Sequence, residues 1–283
     1  MGGIYTEKVF RTRDGLNLYF RDYDGPGGRT PVLCLSGTGG NSTVYDDVAP
    51  HIAQTRRVLT MDWRGHGRSD RDPDWQHYNY NVDRDDVIEF LAALGLPKVI
   101  TVGTSLGGIV TMHIAGHKPE VLAGAVMNDV GPVIGAVGRQ RMHNNMGMPM
   151  TFDSFEAAAQ ALKDRAEKDF AFTPAEWLLR AKRIYFRDGD GMVKANMDPM
   201  YGRVFRERKR PPDWWNFYDG MLKIPVLAVR GAVSDTLDAD TVAEMKKRKP
   251  DLKTAEVPGR GHCPMLTEPA ARSAIDPFLA SIP

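Results

Sequence analysis

Lys98-Val99-Ile100-Thr101-Val102-Gly103-Thr104-Ser105-Leu106-Gly107-Gly108 passes from a strand into a helix through a serine. Lys98 to Val102 is an apolar run of buried-strand type, and Gly108 to His117 has helical character. Gly103 and Gly107 let the backbone turn sharply where a Cβ would obstruct it. Such a turn lifts the Ser105 hydroxyl clear of a sheet and leaves a helix N-terminus beside it, where a developing negative charge is favoured. Gly-x-Ser-x-Gly between a strand and a helix is the nucleophile elbow. The competing reading is a glycine-rich turn with an incidental serine, and the rest of the chain arbitrates between them.

Outward from the elbow, Pro31 to Leu35, Arg57 to Met61, Ala123 to Met127 and Val226 to Val229 are further short apolar runs, mostly separated by segments of helix length. Strands buried on both faces and alternating with helices predict an α/β fold with a mostly parallel central sheet. Ile4 to Thr12 and Leu16 to Tyr23 alternate around Asp14-Gly15 and read as a hairpin. From about Val130 to Arg210 the alternation stops, with no convincing strand. Phe152 to Phe170 has helical spacing after Thr151 or Asp153 as N-cap, and Thr173-Pro174-Ala175-Glu176 opens another helix. The division this predicts is a core of residues 1–130 and 211–283 with a helical cap of residues 131–210.

The 283 residues carry a formal net charge of +1. That length suits one large core with an insertion, and the charge offers no footprint for nucleic acid or an anionic membrane. Arg206 to Arg210 and Lys246 to Lys249 read as solvated helix faces. No stretch is long and apolar enough to span a bilayer, the N-terminus has no signal-peptide core, and two cysteines make no disulfide framework. A reduced, cytoplasmic protein is expected.

A serine nucleophile needs a base within hydrogen-bond reach, and the base an orienting acid. Of the seven histidines, His262 lies in Gly259-Arg260-Gly261-His262-Cys263-Pro264, after the last apolar strand, Lys253 to Val257. A loop there faces the same rim as Ser105. His113 and His117 lie on the helix after the serine, and the others precede the expected acid. That acid is read as Asp235, which follows the strand Val226 to Val229. Asp238 nearby and Asp129, after the strand Ala123 to Met127, are its rivals. The oxyanion needs backbone N–H donors, expected from Leu106 and from Thr38 in Ser36-Gly37-Thr38-Gly39-Gly40-Asn41.

Together these residues resemble the α/β-hydrolase fold superfamily over nearly the whole chain. Asp62-Trp63-Arg64-Gly65-His66-Gly67-Arg68-Ser69 looks like the Asp-x-Arg-Gly-His-Gly-x-Ser loop of its lid-bearing members, and Ser36-Gly37 stands where many members carry His-Gly. The resemblance implies a cap over the active site, no metal and no organic cofactor. A serine at the elbow, where dehalogenases and epoxide hydrolases of the superfamily carry Asp, points to acyl transfer. The expected function is a serine hydrolase of small carboxylic esters, its partner a small-molecule ester. A lactonase, a C–C hydrolase or a perhydrolase on the same residues is the alternative, and a ligand receptor on the hydrolase scaffold is the alternative outside enzymes. In the cap, the methionine cluster Met142, Met146, Met148 and Met150 and the aromatics Tyr185, Phe186 and Tyr201 are the places to look for a pocket, with Met146, Met148, Tyr185 and Tyr201 taken as its lining. Packing of the cap's own core is the blander role for the methionines.

Overall fold

The computed structural model describes residues 4–145, 150–166, 168, 170–207 and 213–283. The strands of the main sheet are β1 (Thr6–Arg11), β2 (Asn17–Tyr23), β3 (Val32–Leu35), β4 (Val58–Met61), β5 (Val99–Thr104) and β6 (Leu122–Asn128), joined after the cap by β10 (Val226–Gly231) and β11 (Lys253–Val257). Their order is β1-β2-β4-β3-β5-β6-β10-β11. Pairing is antiparallel through β1, β2 and β4 and parallel from β4 onward. β1 and β2 form the expected hairpin.

β3, β4 and β5 are buried along their whole length because helices cover both faces. On one face α2 (Tyr80–Ala93), α3 (Leu106–His117) and α8 (Trp215–Asp219) bury Phe90, Val110 and Tyr218 with Leu35 and Met127. On the other, α1 (Ala49–Ala53) and α10 (Pro269–Ala280) bury Ile52 and Phe278 against Val102 and Val229. The segment Ser42 to Gln54 is divided: a 3₁₀ turn at Ser42–Tyr45, capped by Asn41, precedes α1, whose first turn holds Pro50. α9 (Ala239–Arg248) links β10 to β11.

Between β6 and α8, the segment expected to form the cap holds α4 (Ala136–Asn145), α5 (Phe155–Asp164), α6 (Pro174–Ile184) and α7 (Tyr201–Glu207). It is not wholly helical. β7 (Thr151–Phe152), β8 (Tyr185–Arg187) and β9 (Val193–Ala195) form a small antiparallel sheet in the order β7-β9-β8. Strands of two or three residues are too short to leave an alternation in sequence. α5 starts later than expected, capped by Ser154, whose hydroxyl accepts from the Ala157 amide at 3.1 Å. The Thr173–Glu176 capping box opens α6 as expected. The cap's boundary at Arg210 falls outside the described residues. Lys249 is not on a solvated face: it is buried, donating to the Leu222 carbonyl at 3.0 Å and pairing with Asp251.

Core and cap meet along the Asp62–Ser69 loop. The Gly67 amide donates to the Asn196 carbonyl at 3.0 Å, and the Asp198 amide to the Gly65 carbonyl at 2.7 Å. Tyr201 belongs to this seam and not to a pocket wall. Its ring lies against His66 and Tyr78, with centroids 4.8 and 5.0 Å away, and its hydroxyl donates to Asp83 at 3.2 Å. Burial and the nearby Asp86 push the Asp83 carboxyl well above the usual range. A carboxyl that holds its proton when folded and loses it when unfolded stabilises the fold less as pH rises past the ordinary carboxylate value. Asp83→Asn is therefore expected to gain in melting temperature over wild type as pH rises above the ordinary carboxylate range. Parallel melting profiles in scanning fluorimetry would contradict it.

Candidate active site

Ser105 sits between β5 and α3 with φ 48° and ψ −109°, a strained backbone for a residue with a side chain. The surroundings leave no room for another path. A Cβ on Gly103 would come within 2.6 Å of the Gly107 carbonyl carbon, and one on Gly107 within 2.0 Å of the Leu35 carbonyl oxygen. The Ser105 carbonyl accepts from the Gly108 and Ile109 amides at 3.0 Å, so α3 starts at Ser105 itself.

His262 emerges on the loop after β11. Its Nε2 lies 2.9 Å from the Ser105 hydroxyl and its Nδ1 2.8 Å from Asp129 Oδ2. The carboxylate against the histidine is thus Asp129, not Asp235. Asp129 is wholly buried at the end of β6, with φ 53°, a conformation that Asp tolerates better than most residues. Its Oδ1 accepts from the Gly231 amide at 2.8 Å and its Oδ2 from the Ser234 hydroxyl at 2.6 Å. Asp235 is turned away into a two-pronged pair with Arg141, at 2.8 and 2.7 Å, and accepts from Thr236. Asp238 caps α9 through the Thr241 amide. The end of β10 and the loop after it do meet Asp129, by supplying the Gly231 amide and the Ser234 hydroxyl as donors. β6 lies between β5 and β10, so a carboxylate at its end is one strand from the serine.

Thr38 lines the same cavity as Ser105. Leu106 opens α3, and the Gly107 amide donates to the Ser36 carbonyl at 3.1 Å, tying the Ser36–Asn41 loop to the elbow. The Ser36 carbonyl also accepts from the Trp63 indole at 2.9 Å. Two supports left no sequence signal. The Tyr45 hydroxyl donates to the Leu35 carbonyl at 2.7 Å, and the Asn128 amide nitrogen holds the Pro264 carbonyl of the histidine loop at 3.0 Å.

Two cavities meet at His262. The inner one, ≈ 220 Å³, includes Thr38, Ser105, Met142 and Met265. The outer one, ≈ 190 Å³, runs under the cap past Met150, Phe170, Trp177 and Tyr185. Tyr185 lines this outer cavity, whereas Met146 and Met148 lie outside the described residues. Trp177 both packs the cap's apolar cluster and faces the outer cavity.

A family model described as the alpha/beta hydrolase family matches residues 32–274. This chain belongs to the alpha/beta hydrolase family. It is 30% identical over 264 residues to a 3-hydroxybutyrate-oligomer hydrolase of Cupriavidus necator, covering 89% of each chain. It is 28% identical over 255 residues to a 2-(acetamidomethylene)succinate hydrolase of Mesorhizobium japonicum, covering 87% of each. The crystal structure of an alpha/beta hydrolase from Novosphingobium aromaticivorans superposes with a TM-score of 0.93 at 33% identity over 99% of both chains.

In this alpha/beta hydrolase the described residues hold one cluster of metal-ligand type, Asp14, Asp72 and His77, away from Ser105. Arg64 occupies its centre, with Asp14 at 3.0 Å and Asp72 at 2.5 Å, so a guanidinium already balances those carboxylates. Among the described residues no helix is long and apolar enough to cross a membrane.

Proposed function

We propose that this protein is a serine hydrolase of small carboxylic esters with Ser105 as nucleophile, His262 as base and Asp129 as the orienting acid. The observation that carries the reading is the unbroken line from Asp129 through His262 to Ser105, at 2.8 and 2.9 Å, opening on the inner cavity. Ser105 Oγ attacks the ester carbonyl while His262 Nε2 takes its proton. Asp129 holds the Nδ1–H and stabilises the imidazolium that forms. The Thr38 and Leu106 amides receive the oxyanion. His262 then gives its proton to the departing alcohol, activates a water, and the acid leaves. The full-length relative named for hydrolysis of 3-hydroxybutyrate oligomers supports ester chemistry. Cys34 and Cys263, both buried and not joined in a disulfide, support a reducing, cytoplasmic setting.

A panel of p-nitrophenyl esters and lactones of graded length tests the reading. Sustained turnover of short esters is expected, and it should persist in EDTA, because nucleophile, base and acid are all side chains of this chain. Preference for lactones would favour a lactonase, and a single burst without turnover a receptor.

A further inference from the structure

We propose that the cap of this protein carries a carboxylate-binding subsite built on Arg180, so that its substrates are esters bearing a second, free carboxylate. The proposal deepens the ester-hydrolase reading and takes from it only the position of the reacting bond at Ser105.

The two cavities that meet at His262 are lined by Arg141, Arg165, Arg180 and Arg183, and by no Asp or Glu side chain among the described residues. Two of these charges are already matched. Arg141 is held by Asp235, and Arg183 pairs with Asp47 at 2.6 Å. Arg180 faces both cavities and has no ion-pair partner among the described residues. Its guanidinium carbon lies 5.9 Å from the Phe172 ring centroid. Arg165, in the outer cavity only, sets its guanidinium against the Met150 sulfur. Burial raises the Tyr185 hydroxyl, with Arg165 and Arg180 opposing, which puts both charges close to that wall.

A half-buried guanidinium with no counter-ion among the described residues is costly and attracts an anion. Its planar fork fits a carboxylate through two parallel hydrogen bonds. Arg180 is also held in place. It lies one turn before Arg183 on α6, and the Arg183 carbonyl accepts from Asn41 Nδ2 at 2.9 Å and Thr43 Oγ1 at 2.8 Å. At the other end of α6, Glu176 pairs with Arg260, two residues from His262. The helix that carries Arg180 is thereby clamped to the loops that carry Thr38 and His262.

Matched acid and amide esters test this. For the acyl arm, p-nitrophenyl hydrogen adipate is compared with p-nitrophenyl adipamate. For the alcohol arm, β-acetoxybutyrate is compared with its amide. In at least one arm the acid is expected to exceed the amide by about tenfold or more in kcat/KM, mainly through KM. Arg180→Gln should bring that ratio close to one, and Arg180→Lys should restore part of it. Independently of turnover, monomethyl adipate titrated calorimetrically into Ser105→Ala should bind about tenfold more weakly once Arg180→Gln is added. Equal rates for acid and amide in both arms, or a ratio that survives Arg180→Gln, would overturn the subsite. Continued cleavage of the amides in that case leaves the hydrolase reading standing. Arg180-dependent binding without cleavage of any ester would uphold the subsite and remove the hydrolase reading.

Discussion

Ser105→Ala is expected to abolish ester turnover, lowering kcat by about 10⁶-fold, while the circular dichroism spectrum stays that of wild type. The loss is this large because Ser105 carries the hydroxyl that His262 Nε2 meets, at 2.9 Å. His262 without Ser105 could only activate water from a position set for a hydroxyl 2.9 Å away. The substitution removes one oxygen from a backbone that the Gly103 and Gly107 contacts hold in any case, so folding should be unaffected. Residual turnover of the order of wild type would move the nucleophile elsewhere.

Asp129→Asn is expected to lower kcat by about 10⁴-fold, the cost of losing the acid that fixes the histidine tautomer. An amide there could offer an N–H to Nδ1, presenting the wrong nitrogen of His262 to Ser105. Asp235→Asn should fall far short of this, because its partner is Arg141 and not the histidine. Steady-state kinetics of the two variants on one ester separates the roles. The reverse ranking would place the acid after β10.

The contrast between these two aspartates shows what could be read in the chain. Ser105 and His262 were legible because each lies in a glycine-marked turn whose backbone demand is written locally, Gly103 to Gly107 and Gly259 to Gly261. The carboxylate that meets His262 was not, because the choice between Asp129 and Asp235 depends on which strand end lies beside which. Both follow an apolar strand and both lie between Ser105 and His262 in the chain, and the sequence reading took the later one. The sheet instead places β6 directly next to β5, and Arg141 from the cap helix α4 claims Asp235. The signal for Asp129 was present but thin: an aspartate directly after a strand, where a positive φ is needed. The core was legible from its alternation of apolar runs and helices. The small cap sheet was not, since β7, β8 and β9 are held by pairing with one another and not by local pattern. Tyr201 failed as a pocket residue for a related reason. An aromatic in an insertion can face a cavity or seal a seam, and only the packing of His66 and Tyr78 shows which.

We propose that Ser105 is activated by His262 and Asp129. The most direct measurement is labelling with a small p-nitrophenyl alkylphosphonate, followed by intact mass and peptide mapping. One adduct per chain, on Ser105, is expected. Its rate should collapse in His262→Ala, fall steeply in Asp129→Asn and stay near wild type in Asp235→Asn. An adduct on another residue, or equal labelling rates in wild type and the Asp129 variant, would rule out this activation of Ser105.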